Sequence, residues 1–261
     1  MRPGFALLTD LYVCLGFFSR LRLVPPAGAP VTLAGFSRAV RMLPVAGALL
    51  GALAATVMAA AAALGLPAVI AAPLAISVLV MLSGAMHEDG LADCADGFFG
   101  GRTQVEKLEI MQESAIGSFG AVALVLSLFL RASSVAFIAN QNLCVACAVL
   151  IGGAALSRIG GLLPLALLPP ARQAGTGFSA QKPTEGAFLI ASFLAVLFAL
   201  APVPMGANLT RALMAIGLAG GSAYAMVVLA KHEIGGQTGD VAGAAQQLAE
   251  IAYYLALAAR T

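Results

Sequence analysis

Apolar residues run through this chain in long blocks separated by short polar breaks. Mostly apolar runs lie near 42–65, 67–86, 119–139, 143–168, 186–204 and 209–230. A bilayer core needs roughly 20 such residues per helix, so each block is long enough for one crossing. A seventh, weaker stretch covers about 241–259 and contains Glu250. The pattern predicts an all-α fold: a polytopic membrane helix bundle of about six to seven transmembrane helices, forming a single domain over residues 1–261. The run 143–168 holds Arg158, Gly160, Gly161 and Pro164, so a bend or break is expected there. Gly47/Gly51 and Gly217/Gly221 have the spacing that lets membrane helices approach closely. The apolar stretch Phe5 to Phe18, broken by Asp10, is followed by no small-residue cleavage site. A retained segment lying at the interface, or dipping partly into the bilayer, is expected.

Composition strengthens this picture. The chain is 61% hydrophobic and 10% charged, whereas soluble domains carry about 25% charged residues. So few charges cannot cover the surface of a soluble fold of this size, which makes membrane lipid an expected partner. With 14 basic and 12 acidic residues the net charge is +2, which leaves nucleic-acid binding without an electrostatic footprint. Cys144 and Cys147 form a C-x-x-C inside an apolar run, with no second pair or histidine nearby, and read as buried small residues of a helix. A homo-oligomer is compatible with the pattern.

Charge placement sets an expected orientation. The connections near 65–67, 139–142 and 201–208 contain no Lys or Arg. The alternate set holds Arg20, Arg22, Arg38, Arg41, Arg102, Lys107, Arg172, Lys182 and Lys231, and by the positive-inside rule it faces the cytoplasm. The acidic residues fall on the same side. One-sided polar chemistry suggests an active site served from the cytoplasm rather than a pore lined through its depth.

Seven of the twelve acidic residues lie between positions 88 and 113. If 88–96 is helical, Asp89, Asp93 and Asp96 share one narrow face, where three carboxylates repel one another. A divalent cation would offset that repulsion, and an all-oxygen ligand set suits Mg²⁺. A solvated acidic loop is the plainer alternative. A second polar cluster, Gly235-Gly236-Gln237-Thr238-Gly239-Asp240, has three glycines that let backbone N–H groups approach phosphate oxygens, with Asp240 as a further metal ligand. The alternative there is a flexible turn before the last helix. A third cluster runs from Glu109 to Gly120, where Ser114 or Ser118 could simply cap the next helix.

The segment His87-Glu88-Asp89-Gly90-Leu91-Ala92-Asp93, followed by Ala95-Asp96-Gly97, resembles the H-x-D-G-L-A-D-x-x-D-G signature of the cobalamin synthases, the adenosylcobinamide-GDP ribazoletransferases. Glu109-Ile110-Met111 with Ser114 through Gly120 resembles that family's E-I-M-x-D-S-x-x-G-x-x-G stretch. Ser157-Arg158, the Gly235–Asp240 cluster and Phe18-Ser19-Arg20-Leu21 with Val24-Pro25 resemble further landmarks in the same order. The chain departs from the pattern at Gln112, Glu113 and Ala115, losing positive charge on either side of Ser114.

The resemblance implies a Mg²⁺-dependent transferase of the bacterial inner membrane. It joins adenosylcobinamide-GDP to α-ribazole, or its 5′-phosphate, and releases GMP. On that basis His87, Asp89 and Asp93 are expected to be catalytic, with His87 deprotonating the attacking hydroxyl. Asp89, Asp93, Asp96 and Asp240 are expected to hold the metal. Arg158, Ser114 and the loop Gly235, Gly236, Gln237, Thr238 and Gly239 are expected to bind substrate. The competing readings are a CDP-alcohol type phosphotransferase, whose aspartate spacing Asp93-Cys94-Ala95-Asp96 interrupts, and a transporter, which should show an internal repeat.

Overall fold

A computed structural model describes residues 3–21, 23, 35–172 and 182–259. Arg22 of the orientation set and Val24-Pro25 of the N-terminal likeness lie outside the described residues. The protein is helical: α1 (Pro3–Phe18), α2 (Leu43–Ala63, continuing the turns Phe36–Ala39 and Val40–Met42), α3 (Ala68–Ser83), α4 (Met86–Gly100), α5 (Gln104–Ile110), α6 (Ser118–Gln141), α7 (Leu143–Leu167), α8 (Glu185–Ala199), α9 (Leu209–Ile234) and α10 (Gly239–Ala258). Five helical runs are long and apolar enough to cross a membrane, and α3 with α4 counts as a sixth if the bent pair is one crossing.

The weakest apolar stretch turned out to be the centre of the bundle. α10 packs against α4, α6, α7 and α9. Gln246, Gln247 and Glu250 are all buried there. A helix enclosed by protein can carry polar groups that a lipid-facing helix cannot, because neighbouring side chains satisfy them. Glycines on α7 make room for it. A Cβ on Gly160 would lie 2.8 Å from Ala249 Cβ, and one on Gly161 would lie 3.0 Å from the Ala242 carbonyl. The expected break in this segment is absent: α7 continues as one helix through Pro164 to Leu167.

Gly51 fulfils its packing role, since a Cβ there would sit 2.7 Å from the Leu150 carbonyl of α7. Gly217 and Gly221 do not, because a Cβ at either would meet nothing within 4 Å. α9 turns its alanine face inward instead, with Ala212, Ala215, Ala219 and Ala223 buried, and this leaves those glycines outside. α1 is tied down by Asp10, which is 1% exposed and pairs with Arg38 at 3.0 Å and Arg41 at 2.7 Å.

At one end of the bundle the connections are tight turns. Asn142 accepts from the N–H groups of Cys144 and Val145 to start α7, and Asn208 starts α9 by accepting from Arg211 N–H. Cys147 donates to the Ala55 carbonyl. At the other end α4 bends 88° away from α3. The bend is made at Gly84 and Ala85, both in the left-handed region (φ 66° and 57°), and the Arg20 N–H bonds the Leu82 carbonyl at 2.7 Å beside it. The acidic helix is thereby carried across that end of the bundle instead of continuing along α3.

Candidate active site

α4 is helical as expected, and its two faces differ in kind. His87, Glu88, Gly90, Ala92, Cys94, Gly97 and Phe98 are buried, while Asp89 is exposed and Asp93 half-buried. Gly90 sets the approach to α10, since a Cβ there would be 2.6 Å from the Asp240 carbonyl. The absence of that methyl brings the acids of α4 beside the first turn of α10. Asp240 lies there, paired with Arg172 and accepting from the Thr238 hydroxyl at 3.1 Å. In the sequence Arg172 is only one of the charges that set orientation; nothing in its local pattern marks it as a site residue.

Asp96 has a different task from the one expected of it as a metal ligand. Its two carboxylate oxygens accept from the N–H groups of Gly117 (2.8 Å) and Gly120 (2.9 Å), capping the start of α6 from another helix. The carboxylate occupies the space a Cβ would need at both glycines. Neither Ser114 nor Ser118 caps α6, whose N-cap is Gly117. Asp89 and Asp93, by contrast, make no side-chain hydrogen bond or ion pair among the described residues. Burial, reinforced by the carboxylates of Asp240, Asp89 and Asp96, pushes Asp93 up to about 7, with only Arg172 opposing. Asp240 is also raised by burial, against the pull of Arg172. Both acids sit at the polar end, Asp93 on the helix bent 88° away from α3 and Asp240 in the first turn of α10.

Two cavities flank α4. A polar one of about 350 Å³ is lined by Asp89, Asp93, Glu113 and Ser114, so the structure brings the first and third sequence clusters together. Lys107 pairs with Glu233 and the Gln104 amide bonds the Ile234 carbonyl, which holds the α5 connection near the end of α9. The second cavity, about 260 Å³, is lined by Phe17, Phe18, Phe36, His87, Arg158 and Asp240 among others. Asp89 borders both.

The glycine loop is less available than its sequence implied. The Gln237 N–H bonds the Pro169 carbonyl at 2.8 Å, and its carbonyl accepts from Ala171 N–H. Gly236 packs against that same segment and Gly235, at φ 72°, ends α9. Gly235, Gly236 and Gln237 therefore brace the chain, and Thr238 caps α10 by accepting from Val241 N–H. Gly239, in the first turn of α10, is the member of the loop that lines the aromatic cavity. There the unpaired N–H groups of a helix start favour anions.

Arg158, expected to bind substrate, is buried on α7. It makes no ion pair among the described residues; it donates from Nη1 to the Ala154 carbonyl, and its Nε has no partner. The buried acids pair instead with Arg131, which lies in the middle of an apolar run. Arg131 is 1% exposed, 2.8 Å from Glu88 and 3.5 Å from Glu250. Gln247 donates to Glu88 at 3.1 Å, and Ser127 donates to Gln247. The signal was present in the sequence as opposite charges in separate apolar runs, which must meet inside the bundle.

Among the described residues no three His, Cys, Asp or Glu side chains stand close enough to cage a metal ion. The donor set still fits Mg²⁺, which is usually held by one or two carboxylates and completed by water and substrate phosphate. Asp89 and Asp93 are two such carboxylates, with their mutual repulsion opposed only by Arg172.

Fold and site together define a polytopic helical membrane protein with an acid-lined, two-chambered site at one end of an apolar bundle. Sequence comparison agrees over nearly the whole length. The chain belongs to the cobalamin-5-phosphate synthase family, whose model matches residues 10–258. It is 44% identical to a protein of Azorhizobium caulinodans, the alignment covering 95% of each chain. It is 41% identical to one of Xanthobacter autotrophicus (94% of each) and 39% identical to one of Bradyrhizobium diazoefficiens (97% of this chain, 94% of the relative). All three relatives are named adenosylcobinamide-GDP ribazoletransferase. No solved structure matches the chain.

Proposed function

We propose that this protein transfers the adenosylcobinamide phosphate moiety of adenosylcobinamide-GDP to α-ribazole or its 5′-phosphate, releasing GMP at the last step of nucleotide loop assembly. The names of its relatives support the donor, and the site chemistry supports the reaction class. The observation that carries it is the pair Asp89 and Asp93, left without partners on a polar cavity next to Asp240 and Arg172.

The transfer is a displacement at phosphorus. A ribose hydroxyl oxygen of the acceptor bonds to the phosphorus that carries cobinamide. The bond from that phosphorus to the bridging oxygen breaks, and GMP departs with that oxygen and the electron pair. The hydroxyl proton passes to a base. His87 suits that role because its buried Nε2 has no partner and the ring lines the cavity beside Asp89. Such reactions depend on positioning and on neutralising charge at the phosphate oxygens. Asp89 and Asp93 would hold Mg²⁺, with Asp240 adjacent, and the ion would supply that neutralisation. Arg172 and the first turn of α10 add fixed positive character, and Ser114 offers a hydroxyl to the donor. The basic residues at the acid-bearing end support a bacterial inner-membrane protein whose site opens to the cytoplasm.

The test uses protein purified into liposomes with adenosylcobinamide-GDP and α-ribazole, with and without Mg²⁺. GMP release with a cobalamin product, lost on chelation, is the expected result. A folded preparation that releases no GMP refutes the reaction; turnover that survives chelation refutes the metal.

A further inference from the structure

The two chambers that meet at Asp89 have different chemistry. The polar chamber is walled by carboxylates and the Ser114 segment. The other is largely apolar, with an aromatic wall: Phe17 and Phe18 rings lie 4.7 Å apart, and Phe36 is 5.3 Å from Phe17 and 6.0 Å from Phe18. The His87 ring is nearly parallel to Phe18, 5° between planes and 6.2 Å between centroids. Two side chains on this chamber are more than nine-tenths buried and carry nitrogens without partners, Nε2 of His87 and Nε of Arg158. Burying a donor or acceptor without a partner costs about 1–3 kcal/mol. A cavity that retains two such nitrogens has the makings of a site completed by a ligand.

We infer that the aromatic chamber is the acceptor subsite, holding the planar base of the α-ribazole between Phe17, Phe18, Phe36 and Leu162, with its ribose directed to Asp89. This rests on the reaction proposed above and divides its two substrates between the chambers. About 260 Å³ accommodates a bicyclic base with part of its pentose and excludes a corrin macrocycle. A guanine base presents donors and acceptors around its edge and would leave most of them unpaired against phenylalanine and leucine. A benzimidazole-type base has one unshared ring-nitrogen pair and needs one donor, and Arg158 is the guanidinium on the chamber wall that would supply it. His87 then faces the sugar, where the hydroxyl proton must be taken. Because Asp89 borders both chambers, an acceptor hydroxyl from one side meets a donor phosphate from the other.

The experiment fills the chamber from a wall that carries no chemistry, in full-length protein reconstituted in nanodiscs. Ala242→Leu and Leu165→Trp each project extra volume into it. Each is expected to raise KM for α-ribazole about tenfold or more, the scale set by a methylene-sized misfit in an apolar pocket. KM for adenosylcobinamide-GDP and kcat at saturating acceptor are expected to stay unchanged. In the unaltered protein, free benzimidazole should inhibit competitively against α-ribazole and not against the donor. A rise in donor KM, or benzimidazole competing with the donor, would assign the chamber to the nucleotide and overturn the inference, as would two unchanged KM values in both variants. Equilibrium dialysis of labelled α-ribazole without donor separates the two readings. Retention by the unaltered protein, abolished by both fillers, supports the subsite even if no GMP is ever released; no retention together with no turnover overturns both.

Discussion

A single turn of α4 carries two carboxylates with opposite fates. Glu88 points into the bundle, where Arg131, Gln247 and, through Arg131, Glu250 surround it with partners on two other helices. Asp89, one residue on, points the other way and is met by other carboxylates. The buried group is compensated and the exposed one is not, as the cost of taking a charge out of water requires. A charge taken out of water must be paired or it destabilises the fold. A charge held beside like charges, with water close by, is tolerated when a ligand completes it. Pairing thus separates the acids that assemble the bundle from those available to a substrate.

Removing Arg131 tests the assembling side and should have the largest effect. Arg131→Met leaves Glu88 and Glu250 buried without a counter-charge, and a loss of about 3–5 kcal/mol is expected. Unfolding of the purified protein in detergent measures it. Adding Glu88→Gln and Glu250→Gln to that variant should restore much of the stability; failure to do so would mean the network is not electrostatic in origin.

The ligand side is probed by Asp93→Asn. Turnover should fall by about 10²–10³-fold, as when one charge-stabilising group is removed from a reacting centre. Stability should hold or rise, because a mutually repelling carboxylate is gone. A variant that loses stability along with activity would erase the distinction between the two faces.

Asp96 lies between these cases. Asp96→Ala removes both acceptors at the start of α6, and a cost of about 0.5–2 kcal/mol is expected, as for other caps. The accompanying activity loss should be smaller than that of Asp93→Asn. An equal loss at unchanged stability would return Asp96 to the metal set.

The smallest effect is one of pH. Asp93 is held up to about 7, so it is mostly ionised at pH 8 and mostly protonated at pH 6. Metal binding needs the ionised form, so the Mg²⁺ concentration for half-maximal activity should rise about tenfold from pH 8 to pH 6. In Asp93→Asn that dependence should flatten. A requirement that eases on acidification would show that Asp93 does not meet the ion.

Much of the site was legible because it is local in sequence. Asp89 and Asp93 are four residues apart on a helix, and helical spacing alone puts them on one face. The role of Asp96 was not legible, since its oxygens are used by backbone N–H groups more than twenty residues away. The glycine loop misled for a related reason. A run of glycines signals close approach of backbone, and here what approaches Gly236 is the chain at Pro169 and Ala171. Phe17 and Phe36 carry no sequence signal beyond their apolarity and Phe18 only a family likeness, and it is their convergence with His87 and Arg158 that makes a chamber.

By itself the sequence determined the membrane class, the long apolar helices, the uncharged connections of one end and the acid ladder on α4, while the structure has five or six apolar crossings where six to seven were expected. All of these follow from hydropathy, charge placement and the 3.6-residue period, which act over a few turns of chain. The tertiary structure alone decided that α10 is central, that Arg131 and not Arg158 takes the buried acids, and that Asp96 caps α6. These depend on which helices lie side by side, and that is settled by packing and by which buried polar groups meet a partner on another helix.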